Sequence, residues 1–158
     1  MTDWVEVPYT EVLQAWVRAD AGRRNGRTTR AILEWLNRYV EKWAKCCPLT
    51  EDLLSELRVI GHAPDHPWRQ WVSCSFRVSE CSRPDGANEN IERSPLTLVA
   101  VQEPRTERRV LIDGNKRAWV LCKRLECGLP IPPQTTLYAG TLTCEFIRAA
   151  KAVSSLWR

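Results

Sequence analysis

The sequence predicts a single α+β domain, from two patterns of apolar residues and from chain length. In the first 60 residues, apolar side chains recur at helical spacing in three segments. After Pro95, short runs rich in β-branched residues alternate with turns, which is typical of strands. At 158 residues the chain is long enough for one sizeable core. We expect residues 1–158 to form one domain, with residues 1–60 as a helical N-terminal cap and residues 70–158 as its core.

The three N-terminal helices each follow a threonine, whose side chain can accept a hydrogen bond from the first helical turn. Their expected ranges are 11–19 after Thr10, a longer helix from Thr28 or Thr29 to about Lys45, and a helix from Thr50 that Gly61 ends. The longest has a continuous apolar face, formed by Ile32, Trp35, Leu36, Tyr39, Val40 and Trp43. This spacing is that of an amphipathic helix.

The second part of the chain predicts strands around one further helix. Residues 96–101 and 109–112 are predicted strands joined by a turn, and a helix follows to about Glu126, where Gly128 and Pro130 stop it. Residues 71–78 and 135–138 are further predicted strands, and residues 145–157 have the apolar face of a terminal helix. This mixture indicates a small mixed sheet with flanking helices.

Composition narrows the class of protein. Seven cysteines without a signal-peptide pattern indicate reduced thiols in a cytoplasmic protein. Because no C-x-x-C pair occurs, we expect them to be small buried side chains and not the ligands of a zinc site. No apolar run is long enough to cross a membrane, so no membrane partner is expected. His62, Asp65 and His66 have a spacing that can bring three metal ligands together, although the neighbouring prolines are equally typical of a rigid loop.

Arginines are concentrated between the first two predicted helices. Five occur within 13 residues, namely Arg18, Arg23, Arg24, Arg27 and Arg30. Arginine binds phosphate with two parallel hydrogen bonds, so the group predicts a patch that follows a nucleic-acid backbone. A solvated turn is the alternative. The net charge of +4 is compatible with either interpretation.

The strongest functional signal is the segment VLIDGNKRAW, where a predicted strand passes through Asp113-Gly114 into a helix. A tight glycine turn at a helix start directs backbone N–H groups and the positive end of the helix dipole at one point. Lys116 and Arg117 add two cations beside those donors. The pattern predicts a phosphate site, and the alternative is an ordinary strand-to-helix turn in which Asp113 is a cap.

Residues 95–139 resemble the core of the ParB/sulfiredoxin superfamily, through the strand, the loop Asp-Gly-Asn-x-Arg, the helix, Gly-Leu-Pro-Ile-Pro and a final strand. The resemblance implies a ParB/sulfiredoxin-like sheet with flanking helices and, here, a helical N-terminal extension. It implies that Gly114, Asn115, Lys116 and Arg117 bind nucleotide phosphates, with Asp113 and Arg117 catalytic. It further implies Asp113 as a metal-anchoring carboxylate or general base, with Glu103 and Glu107 the nearest other acids in sequence.

Two departures exclude specific chemistries. Asn115 stands where sulfiredoxin has its cysteine, so the nucleophile for sulfinic-acid reduction is missing. The loop also resembles that of Fic and Doc enzymes, but Arg109 stands where they have an essential histidine base. Plasmid fertility-inhibition proteins with ATPase and DNase activity are the members that the chain resembles most.

We therefore expect a nucleotide-binding, ATP-hydrolysing and DNA-cleaving accessory or interference protein of plasmid or phage type. Its cofactors would be a nucleoside triphosphate (ATP or CTP) and Mg²⁺, and its partners a nucleotide, DNA and a protein target. Two alternatives stay open: a non-enzymatic inhibitor that binds a protein through the same fold, and a degenerate Fic/Doc-like phosphate-binding protein.

Overall fold

The computed structural model describes residues 3–19, 26–60, 75–81, 96–103 and 107–146. Within these residues the strands are β1 (Val5–Val7), β2 (Val40–Cys46), β3 (Arg58–Ile60), β4 (Ser75–Arg77), β5 (Thr97–Gln102), β6 (Arg109–Asp113) and β7 (Thr136–Leu142). The helices are α1 (Tyr9–Ala19), α2 (Gly26–Asn37), α3 (Glu51–Glu56) and α4 (Asn115–Glu126), and a 3₁₀ turn, Val78–Glu80, follows β4. The protein is thus a mixed α and β structure, as its sequence predicts.

All seven strands of the described residues belong to one mixed sheet, in the order β1-β2-β7-β5-β6-β3-β4. Antiparallel β5 and β6 lead into α4, and β7 then returns parallel to β5 on its other side. Thr97 lies opposite Thr136, and Val99 lies opposite Asp113. The end of β6 and the starts of β5 and β7 therefore lie at one end of the sheet, where α4 begins.

Two apolar cores cover the two faces of the sheet. In β5, Leu98 and Ala100 belong to one core and Val99 and Val101 to the other. Because successive strand residues point to opposite faces, the two cores lie on opposite sides of the sheet. Helices α3 and α4 supply side chains to the first core, and α1 and α2 supply them to the second. The sheet is thus the middle of three layers.

The predicted strands and helix around residues 96–126 are confirmed. All residues of β5 except Gln102 are buried, as are Val110 to Asp113 of β6. Helix α4 begins at Asn115, and the indole Nε1 of Trp119 donates to the carbonyl of Cys81 at 3.1 Å. This bond holds α4 to the 3₁₀ turn and fixes the position of the helix that starts at the Asp-Gly loop.

The predicted cap at Thr50 is also confirmed. Its hydroxyl accepts a hydrogen bond from the N–H of Leu53 at 3.3 Å, and Leu53 and Leu54 are buried. The helix ends at Glu56 and not at Gly61, because Arg58 already pairs with β6 and β4. The strand pairing of Arg58 thus ends α3 earlier than the sequence predicts.

The prediction that a helix continues to Lys45 is wrong, since α2 ends at Asn37 and β2 begins at Val40. A bulge between Val40 and Lys42 interrupts the pairing of β2 with β7. Trp43 and Cys46 belong to different cores, on opposite faces of the sheet. Residues three apart point to opposite faces in a strand and to the same face in a helix, so the apolar spacing there was misinterpreted.

Residues 1–60 are consequently not a purely helical cap, because β1, β2 and β3 contribute to the sheet. Helix α1 begins at Tyr9, ahead of Thr10, and α2 begins at Gly26, ahead of both predicted cap residues. Strand β7 continues to Leu142, four residues beyond its predicted end. Of the predicted strand 71–78, residues 75–77 form β4; residues 71–74 and most of the predicted terminal helix lie outside the described residues.

Trp16, Trp43 and Trp119 are buried, as expected for core anchors. Six cysteines lie in the described ranges, and each is a free thiol. None of the described helices combines the length and apolar character that crossing a bilayer requires.

Candidate functional site

Gly114 alone connects β6 to α4. Its φ of 97° and ψ of 20° lie in the left-handed region, which glycine adopts without a steric penalty. A Cβ atom built on this residue would lie 2.5 Å from Cδ2 of Leu98 and 3.4 Å from the carbonyl oxygen of Thr97. Both the backbone conformation and the contact with β5 therefore require glycine, and the start of α4 lies directly against the sheet.

Within the described residues, the first turn of α4 has no capping side chain at Gly114. The first helical hydrogen bond runs from the N–H of Ala118 to the carbonyl of Gly114 at 2.8 Å. Gly114 has no side chain that could cap the turn. The N–H groups of Asn115, Lys116 and Arg117 thus precede the first intrahelical bond and carry the positive end of the helix dipole.

Asp113 and Arg117 form a buried ion pair that spans Gly114. The guanidinium Nη2 of Arg117 donates to Oδ2 of Asp113 at 2.9 Å, and the two side chains are 11% and 8% exposed. The Nε of Arg117 is buried without a hydrogen-bond partner in the structure. The resemblance gave Asp113 and Arg117 separate roles toward a ligand, whereas in the structure their side chains are bonded to each other.

Lys116 and Asn115 differ from Arg117 in their surroundings. Lys116 is exposed, whereas Asn115 is half-buried and its Oδ1 atom is buried without a hydrogen-bond partner. Adjacent helical residues point to different sides, so Lys116 and Arg117 do not act as a single cationic pair. The exposed ammonium and the backbone donors together are suited to an anion.

The fit of Mg²⁺ to this loop depends on the Asp113 carboxylate, since Mg²⁺ prefers oxygen ligands. One oxygen of that carboxylate is engaged by Arg117. Glu103 and Glu107 lie beyond the opposite end of β6, about 16–20 Å from Asp113 along the strand direction. No group of three or more His, Cys, Asp and Glu residues that could hold a metal ion occurs within the described residues. His62, Asp65 and His66 lie outside them. The residues described do not fit a magnesium centre.

The arginine group is only partly described. Arg18, in the last turn of α1, is exposed, and Arg30, on α2, is exposed and contacts Glu34 at 3.7 Å. Arg27 belongs to α2 by its backbone, but its side chain lies outside the described part of the structure, as do Arg23 and Arg24. Helices α1 and α2 lie on the face of the sheet opposite α4. The structure thus places Arg18 and Arg30 in a different layer from the Asp-Gly loop.

A polar cluster that sequence reasoning missed lies on the α1 side of the sheet. Glu11 Oε2 accepts a hydrogen bond from the Tyr138 hydroxyl and forms an ion pair with Lys45 Nζ, both at 3.1 Å. Burial, and secondarily the charge of Glu11, raises the pKa of Tyr138 to about 12. The cluster connects α1 to β2 and β7. Its members are separated by up to 127 positions, so no local pattern could have indicated it.

This cluster and the loop lie at the same end of the sheet. Lys45 lies opposite Tyr138, Tyr138 opposite Val99, and Val99 opposite Asp113. At the usual strand spacing, the Cα atoms of Tyr138 and Asp113 are about 10 Å apart.

No family model matches the chain, and neither a curated protein nor a solved structure proves similar to it. The candidate site is therefore interpreted from its own geometry.

Proposed function

We propose that this protein binds a nucleotide through its phosphate groups at the junction of β6 and α4. The observation that carries the proposal is the left-handed Gly114, which brings the uncapped N-terminus of α4 against β5. Phosphate oxygens accept hydrogen bonds from such N–H groups and are stabilised by the helix dipole.

Lys116 supports the same conclusion. It lies exposed in the first turn of α4, where a cation is disfavoured by about 0.3–1 kcal/mol because the helix dipole is positive there. A bound anion reverses that cost, since it interacts favourably with both the ammonium and the dipole. The order of elements from β5 to β7 is also the order that the ParB/sulfiredoxin resemblance implies.

Binding can be tested by thermal denaturation, because a ligand that binds only the native state raises the melting temperature. We expect ATP, ADP, CTP or GTP to raise it, and the matching nucleoside without phosphate to raise it much less. Lys116→Ala should reduce the shift. Lys42→Ala is the matched control, because Lys42 is an exposed lysine at the far end of β2 and its replacement changes the net charge equally.

Equal shifts in wild type and Lys116→Ala would contradict this location of the site. If neither nucleotides nor inorganic phosphate changed the melting temperature, the binding function itself would be wrong. A role as a non-enzymatic inhibitor of another protein would then be tested by isolating a partner with the protein.

ATP hydrolysis and DNA cleavage, which the resemblance implies for a plasmid- or phage-type protein, stay predictions. They require a carboxylate that reaches a metal ion or a water molecule, and Asp113 is engaged by Arg117. The test is hydrolysis of ATP and nicking of plasmid DNA with and without Mg²⁺, in wild type, Asp113→Ala and Arg117→Ala. Activity that persists unchanged in both variants would exclude a catalytic role for this pair.

A further inference from the structure

We infer that Asp113 and Arg117 are positioning residues: their ion pair fixes the first turn of α4 and so aims its N–H groups at a phosphate that binds without a metal ion. The ligand part of this inference rests on the proposed function. The positioning part concerns the free protein and is tested separately.

The need for such a pair follows from Gly114. Glycine has more accessible backbone conformations than any other residue, so it does not itself hold the left-handed turn. Gly114 also offers no side-chain cap. Among the described residues, the N–H of Ala118 donates to the Gly114 carbonyl, and the ion pair between Asp113 and Arg117 spans the glycine. The pair therefore ties the end of β6 to the third residue of α4.

A second pair with the same spacing shows what is unusual about this one. Arg30 and Glu34 are also four residues apart, but they are 3.7 Å apart and 64% and 57% exposed. Such a surface pair is solvated in both the folded and the unfolded chain, so it contributes little to stability. Asp113 and Arg117 are 2.9 Å apart and about nine-tenths buried. Removing one partner of a buried pair takes away compensation of the other charge that water cannot supply there, so the pair holds its geometry strongly.

The pairing also determines which charges remain for a ligand. Asp113 neutralises Arg117, so the loop offers an anion the exposed ammonium of Lys116 and the N–H groups of the first turn. Such a donor set suits a phosphate or diphosphate group directly. A divalent ion would have to compete with the guanidinium for the only carboxylate of the loop.

The positioning role is tested by amide hydrogen exchange in Asp113→Asn, Arg117→Gln and the double variant, without ligand. We expect each single change to speed exchange of the Ala118 N–H by about tenfold, because the first turn is loosened. In the double variant, two uncharged amides replace the pair and can hydrogen-bond, so exchange should return towards the wild-type rate. Arg30→Gln, at the exposed pair, should leave the rate unchanged. Unaltered exchange in both single variants would overturn the positioning role.

The ligand part is tested by calorimetric titration with inorganic pyrophosphate in EDTA, well below the melting temperature of every variant. Wild type should bind, each single variant should bind about tenfold more weakly, and the double variant should recover part of the affinity. Lys116→Ala should weaken binding without speeding Ala118 exchange, because alanine does not loosen the first turn.

The two readouts separate the possible failures. A double variant with restored exchange but no restored affinity would mean that Asp113 or Arg117 contacts the ligand, which contradicts the inference. Binding that appears only with Mg²⁺ would overturn metal-independent recognition. If wild type bound no pyrophosphate or nucleotide under any condition, the proposed function would fail, and the exchange rates would still decide the positioning role.

Discussion

A Cβ atom on Gly114 would lie 2.5 Å from Cδ2 of Leu98, closer than carbon atoms of neighbouring side chains approach one another. Leu98 is fully buried in the core beneath α4, so it has little room to move. The start of the candidate site is thus determined by packing against β5 as well as by backbone conformation.

Gly114→Ala should therefore destabilise the protein by about 2–4 kcal/mol. About 1 kcal/mol is the cost of a left-handed alanine, and overpacking against Leu98 adds about 1–3 kcal/mol. Gly128→Ala is the matched control, because Gly128 has a φ of 79° but no atom within 4 Å of its Cβ position. It should cost about 1 kcal/mol in urea unfolding. Equal costs at the two positions would contradict the packing argument.

Gly140→Ala should destabilise the sheet by about 1–3 kcal/mol, since overpacking forces its neighbours to shift. The Cβ position of Gly140, on β7, lies 2.9 Å from Cζ3 of Trp43, the residue opposite it on β2. Trp43→Phe removes that part of the ring. We expect the double variant to lose less free energy of unfolding than the sum of the losses in the two single variants. Additive costs would mean that the two side chains do not collide.

Thr50→Ala should reduce the free energy of unfolding by about 1 kcal/mol, because the hydroxyl of Thr50 caps α3. Thr50→Ser keeps the acceptor oxygen and should cost clearly less. Urea unfolding of the three proteins measures the difference. If serine and alanine cost the same, the loss arises from the missing methyl group and not from the cap.

Stability should fall between about pH 9 and pH 11 because of Cys122. Burial raises the pKa of this thiol from 9.0 to about 11 in the folded protein. Its contribution is fully present below the unfolded pKa and is lost as the pH rises towards the folded pKa, since the unfolded chain ionises first. Urea unfolding with reductant, at pH 8 to 11, should show a steeper fall in wild type than in Cys122→Ala. Tyr138, with its pKa raised to about 12, affects both proteins alike. Parallel pH curves would contradict this assignment.

The sequence was most informative where structure depends on neighbouring residues. Strands β5 and β6 and helix α4 follow from short apolar runs, a turn glycine and a helical repeat, and all three are confirmed. The cap of Thr50 likewise involves residues three positions apart. Such features form through local hydrogen bonds and backbone preferences, so a short window of sequence contains their cause.

Strand β2 shows where this local reasoning ends. Its residues have apolar spacing compatible with a helix, and its bulge removes the simple alternation that would have indicated a strand. What makes it a strand is its position between β1 and β7, and β7 lies almost a hundred residues further along the chain. Backbone hydrogen bonds to distant segments outweigh the local propensity.

By itself, the sequence predicted the location of the candidate site, because a glycine between an apolar run and a helical repeat indicates a strand-to-helix junction from neighbouring residues alone. The tertiary structure decided how those residues are used. Asp113 and Arg117 pair with each other because both are buried beside β5 and the core, whereas Lys116 remains exposed. It also joins Glu11 to Tyr138 across 127 positions. Burial and long-range pairing depend on the whole packed chain, since the cost of an unpaired charge arises only once water is excluded.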